Sequence, residues 1–87
     1  VDIYMSEAPK IFGQIEEAVG SGDTDAARRA AHSLKSASGN IRAVRLAELL
    51  QAMEVLGKAG DVEGARGALP ELQGEFRAVL AYLRAPR

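Results

Sequence analysis

The sequence contains no cysteine, no tryptophan and a single histidine, His32. Without cysteine there is no disulfide and no thiolate metal site. One histidine also argues against a histidine-based zinc site, which takes three or four protein ligands. Aromatic residues are few, only Tyr4, Phe12, Phe76 and Tyr82, while Ala, Leu and Val supply most of the 47% hydrophobic fraction. That composition favours close-packed helices over a sheet. No run of about 18 apolar residues is present, so no segment is expected to span a membrane and no direct membrane contact is expected. The formal net charge of −1 gives no global field that would attract nucleic acid. Neither G-x-x-x-x-G-K-[ST] nor G-x-G-x-x-G after a strand occurs, so neither mode of nucleotide binding is expected.

What remains is one domain of 87 residues, near the lower limit for an unaided hydrophobic core. The expectation is a single four-helix domain over 1–87, with helices at about 3–19, 24–39, 43–57 and 62–84. In the first segment Tyr4, Ala8, Ile11, Phe12, Ile15, Ala18 and Val19 recur at helical spacing. Pro9 inside that pattern predicts a kink or a local restart. Gly20-Ser21-Gly22-Asp23 ends it. Asp23 or Thr24 is a candidate N-cap for the second segment, whose apolar stripe is Ala27, Ala30, Ala31, Leu34 and Ala37. A stripe of alanine lets a neighbouring helix approach closely. Gly39-Asn40 loosens its end. Leu46, Leu49, Leu50, Met53 and Leu56 mark the third segment, and Asp61 is a candidate N-cap for the fourth. There Ala65, Leu69, Leu72, Phe76, Val79, Leu80 and Leu83 line up, with Pro70 predicting a kink or two shorter helices. Ala85-Pro86-Arg87 reads as a tail. Short connections make the fold class all-α, an antiparallel up-down-up-down four-helix bundle.

His32 is the residue that needs a chemical reading. At about 100° per residue it falls roughly 175° from the centre of the alanine-leucine stripe, outside the core. Lys35, three positions on, shares its face. Ser36, Ala37, Ser38 and Gly39 follow, and such small residues leave room for another protein's surface. The competing reading is a solvated face that carries a histidine, with the Ser-Ala-Ser-Gly run a poorly formed helix end. Ser33 and Ser36 are neighbours of His32, but each reads better as a helix-surface residue than as a nucleophile.

Ala31-His32-Ser33-Leu34-Lys35-Ser36, followed by Ser38, Asn40-Ile41 and Ala43, resembles the histidine-containing phosphotransfer (HPt) domain of multistep two-component phosphorelays. Leu46-Ala47-x-Leu49-Leu50-x-x-Met53-Glu54 is similar to that family's next helix, and the likeness covers essentially the whole chain. The resemblance implies that His32 is the phosphoacceptor, that Lys35 lies near the phosphoryl oxygens, and that Glu54, 22 positions after His32, hydrogen-bonds the ring. A helical wheel sets Glu54 on the shoulder of the third helix's stripe, where it could equally be a plain surface charge. Two residues depart from the family pattern. Ser36 stands at a usual glycine, where close approach of a partner is needed, and Arg42 at the usual glycine of the following turn. Gly39 or Asn40 is expected to supply a positive φ there instead.

The implied function is a phosphorelay carrier that accepts a phosphoryl group on His32 from a receiver-domain aspartate and passes it to another receiver domain. An imidazole's ordinary pKa of about 6.5 makes its neutral, nucleophilic form available near pH 7. The domain would be a covalent intermediate, not an enzyme with its own nucleotide site. It would bind no cofactor, the Mg²⁺ lying in the partner receiver domain. Arg28, Arg29, Ser36, Gly39, Gln51 and Lys58 are candidates for the rim that meets response-regulator receiver domains. The isolated domain is expected to be a monomer and cytoplasmic. The start at Val1 and the short tail fit a module excised from the C-terminal, cytoplasmic end of a hybrid sensor kinase. Two other readings stand beside this one: a helical protein-interaction module that is never phosphorylated, and the phosphoacceptor domain of a chemotaxis-type histidine kinase.

Overall fold

A computed structural model of the chain describes residues 2–85. The residues Pro86 and Arg87 of the expected tail lie outside them. Four helices follow one another: α1 (Asp2–Ser21), α2 (Thr24–Ser38), α3 (Val44–Lys58) and α4 (Val62–Arg84). A single 3₁₀ turn, Gly39–Ile41, lies between α2 and α3. No strand occurs among the described residues. The helices form an antiparallel bundle in which each packs on the next and α4 closes back on α1. The bundle measures 41 × 19 × 18 Å.

Two of the three connections use the same device. Gly22, at φ 79°, ends α1, and the Asp23 and Gly22 N–H groups bond back to Ala18 O and Val19 O. Gly60, at φ 71°, ends α3 in the same way, with Asp61 bonded to Leu56 O and Gly60 to Gly57 O. Both are the paired reverse bonds by which a left-handed glycine terminates a helix. The next residue in each case is an aspartate that caps the following helix. Asp23 Oδ1 accepts from Ala26 N at 3.1 Å, and Asp61 Oδ1 from Gly64 N at 2.8 Å. Arg66 on α4 adds a cap to α1, donating to the carbonyls of Val19 and Gly20.

The third connection departs from expectation. Gly39 is right-handed, at φ −58°, and the positive φ belongs to Arg42, at 57°. The chain continues its right-handed path through the 3₁₀ turn and reverses only after it. The reversal therefore falls on Arg42, at a steric cost of roughly 1 kcal/mol. Gly39 also opens that turn, so α2 stops at Ser38.

Pro9 and Pro70 lie inside unbroken helices. Pro9 starts no new helix, and Pro70 does not divide α4 in two. Each removes one hydrogen bond from a helix whose flanking residues are held by packing. Tyr4, Ala8 and Phe12 bracket Pro9, and Ala65, Leu72 and Phe76 bracket Pro70, all buried. Phe12 and Phe76 stack across α1 and α4 with ring centroids 4.4 Å apart.

The core is filled by Ile15, Leu34, Leu46, Leu50, Met53 and Leu72, with alanines on the buried face of α2. Those alanines allow a close α2–α3 crossing. The helices stand close at Gly57, where an added Cβ would lie 2.7 Å from the Thr24 carbonyl oxygen. Ser38, the one buried polar residue among those described, bonds the Tyr4 hydroxyl at 3.0 Å. Burial pushes the Tyr4 phenol up, and its bond to Ser38 opposes that only in part.

Candidate functional site

The close α2–α3 pairing decides what surrounds His32. The imidazole stands on the outer side of α2, its side chain 62% exposed. Across the crossing, α3 presents Glu54, whose side chain is only 17% exposed. Glu54 Oε2 lies 3.1 Å from His32 Nδ1. One turn along α2, Lys35 Nζ lies 2.6 Å from the other carboxylate oxygen, Oε1. That approach is an ion pair and not an aligned hydrogen bond, so buried Oε1 receives no aligned donor. Lys35 does donate an aligned bond of 2.6 Å to Gln51 Oε1. Four side chains thus form one line across two helices: His32, Glu54, Lys35, Gln51.

Burial pushes the Glu54 carboxyl up, but the Lys35 ammonium and the His32 ring more than offset it and hold the group below the usual carboxylate range. Glu54 is therefore an anion near neutrality and can only accept. Nδ1 must be the ring nitrogen that carries hydrogen, which leaves the lone pair on Nε2. An exposed imidazole in that tautomer is a nucleophile with its direction fixed.

The other expected residues divide. Arg28 and Lys58 line the groove that holds His32 and Glu54, Arg28 also pairing with Asp25 at 2.9 Å. Gly39 borders a more apolar groove beside Lys35, formed with Ala43, Val44 and Ala47. Ser36 is exposed on α2. Arg29 is not brought to this face. It pairs with Asp25 and lines the groove between α1 and α2 with Glu17 and Ser33.

Sequence reasoning missed two features. Val44 and Val55 are 67% and 57% exposed, on either side of the site. They stand eleven residues apart, about three helical turns, and so share a face of α3 with Gln51. That spacing was readable, but both valines fall outside the helix's apolar stripe. The second is the Lys35–Gln51 bond, which depends on the register between two helices and leaves no trace in either alone.

A sequence model described as the Hpt domain matches residues 1–85. The chain belongs to the Hpt domain family. As an Hpt domain it is a histidine phosphotransfer carrier of phosphorelay signalling, a helical bundle whose partners are response-regulator receiver domains. Hpt domains carry the phosphoryl group and are not nucleotide-binding enzymes. No curated protein and no solved structure matches the chain. Among the described residues no group of three or more His, Cys, Asp or Glu side chains could hold a metal. Nor is any helix among them long and apolar enough to cross a membrane.

Proposed function

We propose that His32 Nε2 is the atom that carries the phosphoryl group in this Hpt domain. The observation behind the reading is the 3.1 Å contact between Nδ1 and an ionised, half-hidden Glu54. Nε2 attacks the phosphorus of a receiver's aspartyl phosphate. The N–P bond forms as the O–P bond breaks, and the receiver's carboxylate leaves with the electron pair. No proton has to move. Nδ1–H stays on the ring, which becomes cationic, and Glu54 stabilises that charge in place, as a buried carboxylate does for other histidines. In the onward step a second receiver's aspartate attacks the same phosphorus, and the ring leaves neutral. Such transfers depend on positioning and electrostatics, which a preset ring and a nearby ammonium supply.

Lys35 offsets charge on the phosphoryl oxygens, and Mg²⁺ comes with the receiver. Arg28 and Lys58 add positive charge to the groove around His32, opposite in sign to the carboxylate cluster a receiver presents. Val44 and Val55 give the apolar contact that the receiver covers on docking, with Ser36 and Gly39 leaving room for its approach. The proposed setting is the cytoplasm, with the isolated domain a monomer.

The test uses receiver domains phosphorylated with a radiolabel. Label should move to the wild-type domain as an acid-labile, base-stable adduct and should not move to His32→Gln. Transfer that persists in His32→Gln would end the proposal.

A further inference from the structure

Gln51 has a contact that docking does not explain. It stands on α3 one turn before Glu54 and is exposed, as a rim residue would be. Yet its Oε1 accepts a 2.6 Å bond from Lys35 Nζ. Glu54 lies equally near that ammonium but without hydrogen-bond alignment. The ammonium is therefore held from two sides, by the anionic Glu54 and by the neutral amide oxygen of Gln51. A lysine has four rotatable bonds and loses much rotamer freedom when fixed. Here the side chain is already drawn in, only 28% exposed.

Resting on the reading that His32 carries the phosphoryl group, we propose that Gln51 is a positioning residue for the transfer. Its amide oxygen fixes the Lys35 ammonium before the phosphoryl group arrives. Lysine has three N–H donors. With one committed to Gln51 and another facing Glu54 Oε1, the third is available to a phosphoryl oxygen. A neutral acceptor suits this task, because it orders the ammonium without cancelling its charge. A carboxylate at 51 would add a second anion beside Glu54, next to an incoming dianion. Gln51 acts wholly through Lys35, which separates this role from a docking contact with the receiver.

The experiment is a double-mutant cycle in single-turnover transfer from a phosphorylated receiver domain, using Gln51→Leu, Lys35→Met and the pair. Thermal melts first establish that each variant is folded. Gln51→Leu should lower the transfer rate at saturating receiver about tenfold, the size of a lost hydrogen bond to a charged group. The half-saturating receiver concentration should not change. In the Lys35→Met background the same substitution should have no further effect, since residues acting in series are not additive. A raised half-saturating concentration with an unchanged maximal rate would overturn the inference, as would full additivity with Lys35→Met. Absence of label on His32 in the wild-type domain would defeat the carrier reading and this inference together. Label on His32 with an additive cycle would defeat the role of Gln51 alone.

Discussion

Replacing Gly57 by alanine should destabilise the domain, although alanine is the better helix former. A Cβ at this position would lie 2.7 Å from Thr24 O, 2.9 Å from Arg28 Cβ and 3.1 Å from Arg28 Cα. Two of those three atoms are backbone, which no side-chain rotation can move aside. Overpacking of this kind costs about 1–3 kcal/mol, while the gain in helix propensity returns about 1 kcal/mol. The net is a loss of about 1 kcal/mol, or about 5 °C in melting temperature for a domain of this size. Gly74→Ala is the matched control. It also lies within a helix, but nothing stands within 4 Å of its Cβ. There only the propensity gain of about 1 kcal/mol operates, and the melting temperature should rise. The assay is thermal and urea unfolding of the two variants beside wild type. If Gly57→Ala stabilises as Gly74→Ala does, the close α2–α3 crossing does not exist as described. The pairing of His32 with Glu54, one turn away, would then lose its structural basis.

Two further outcomes follow from the same geometry. Because folding holds the Glu54 carboxyl below its ordinary value of 4.5, its contribution to stability is complete above that pH. It is lost as pH falls through the lowered folded value. The stability difference between wild type and Glu54→Gln, followed by urea unfolding at successive pH values, should therefore shrink on acidification below about pH 4.5. A difference that stays constant would contradict the ion pairing. Arg42→Gly should stabilise the domain by up to about 0.5 kcal/mol, the relief of the left-handed backbone less the added entropy of the unfolded chain. A loss of stability in the same assay would show that the Arg42 side chain makes a compensating contact.

Helical periodicity alone placed His32 outside the core, because Ala27, Ala30, Ala31 and Leu34 leave it nowhere else to point. The aspartate caps were legible for a similar reason, since Asp23 and Asp61 each follow a glycine and precede a periodic segment. Other features depend on more than one element. The positive φ of Arg42 was not legible, because local preference favours Gly39 or Asn40 there. The path from α2 into α3 overrides that preference. Ser38 lies on the buried stripe four residues after Leu34, but its partner Tyr4 is 34 positions away. Gln51 read as an exposed polar residue, and its bond to Lys35 follows only from the register of α2 against α3. The helix restart offered at Pro9 and the division offered at Pro70 do not occur, because the weight of one missing hydrogen bond is set by packing on either side of it.

The dual use of Asp23 has a consequence for chain length. Its N–H closes α1 and its carboxylate opens α2, so no slack residue separates the two helices. The azimuth of His32 is therefore clocked from Asp23, nine positions upstream. One residue inserted between them would turn the imidazole by about 100° around its helix, out of line with Glu54 while leaving the helix itself intact. The spacing from cap to histidine is thus as much a part of the site as the histidine, and length variation in this domain can be absorbed only elsewhere.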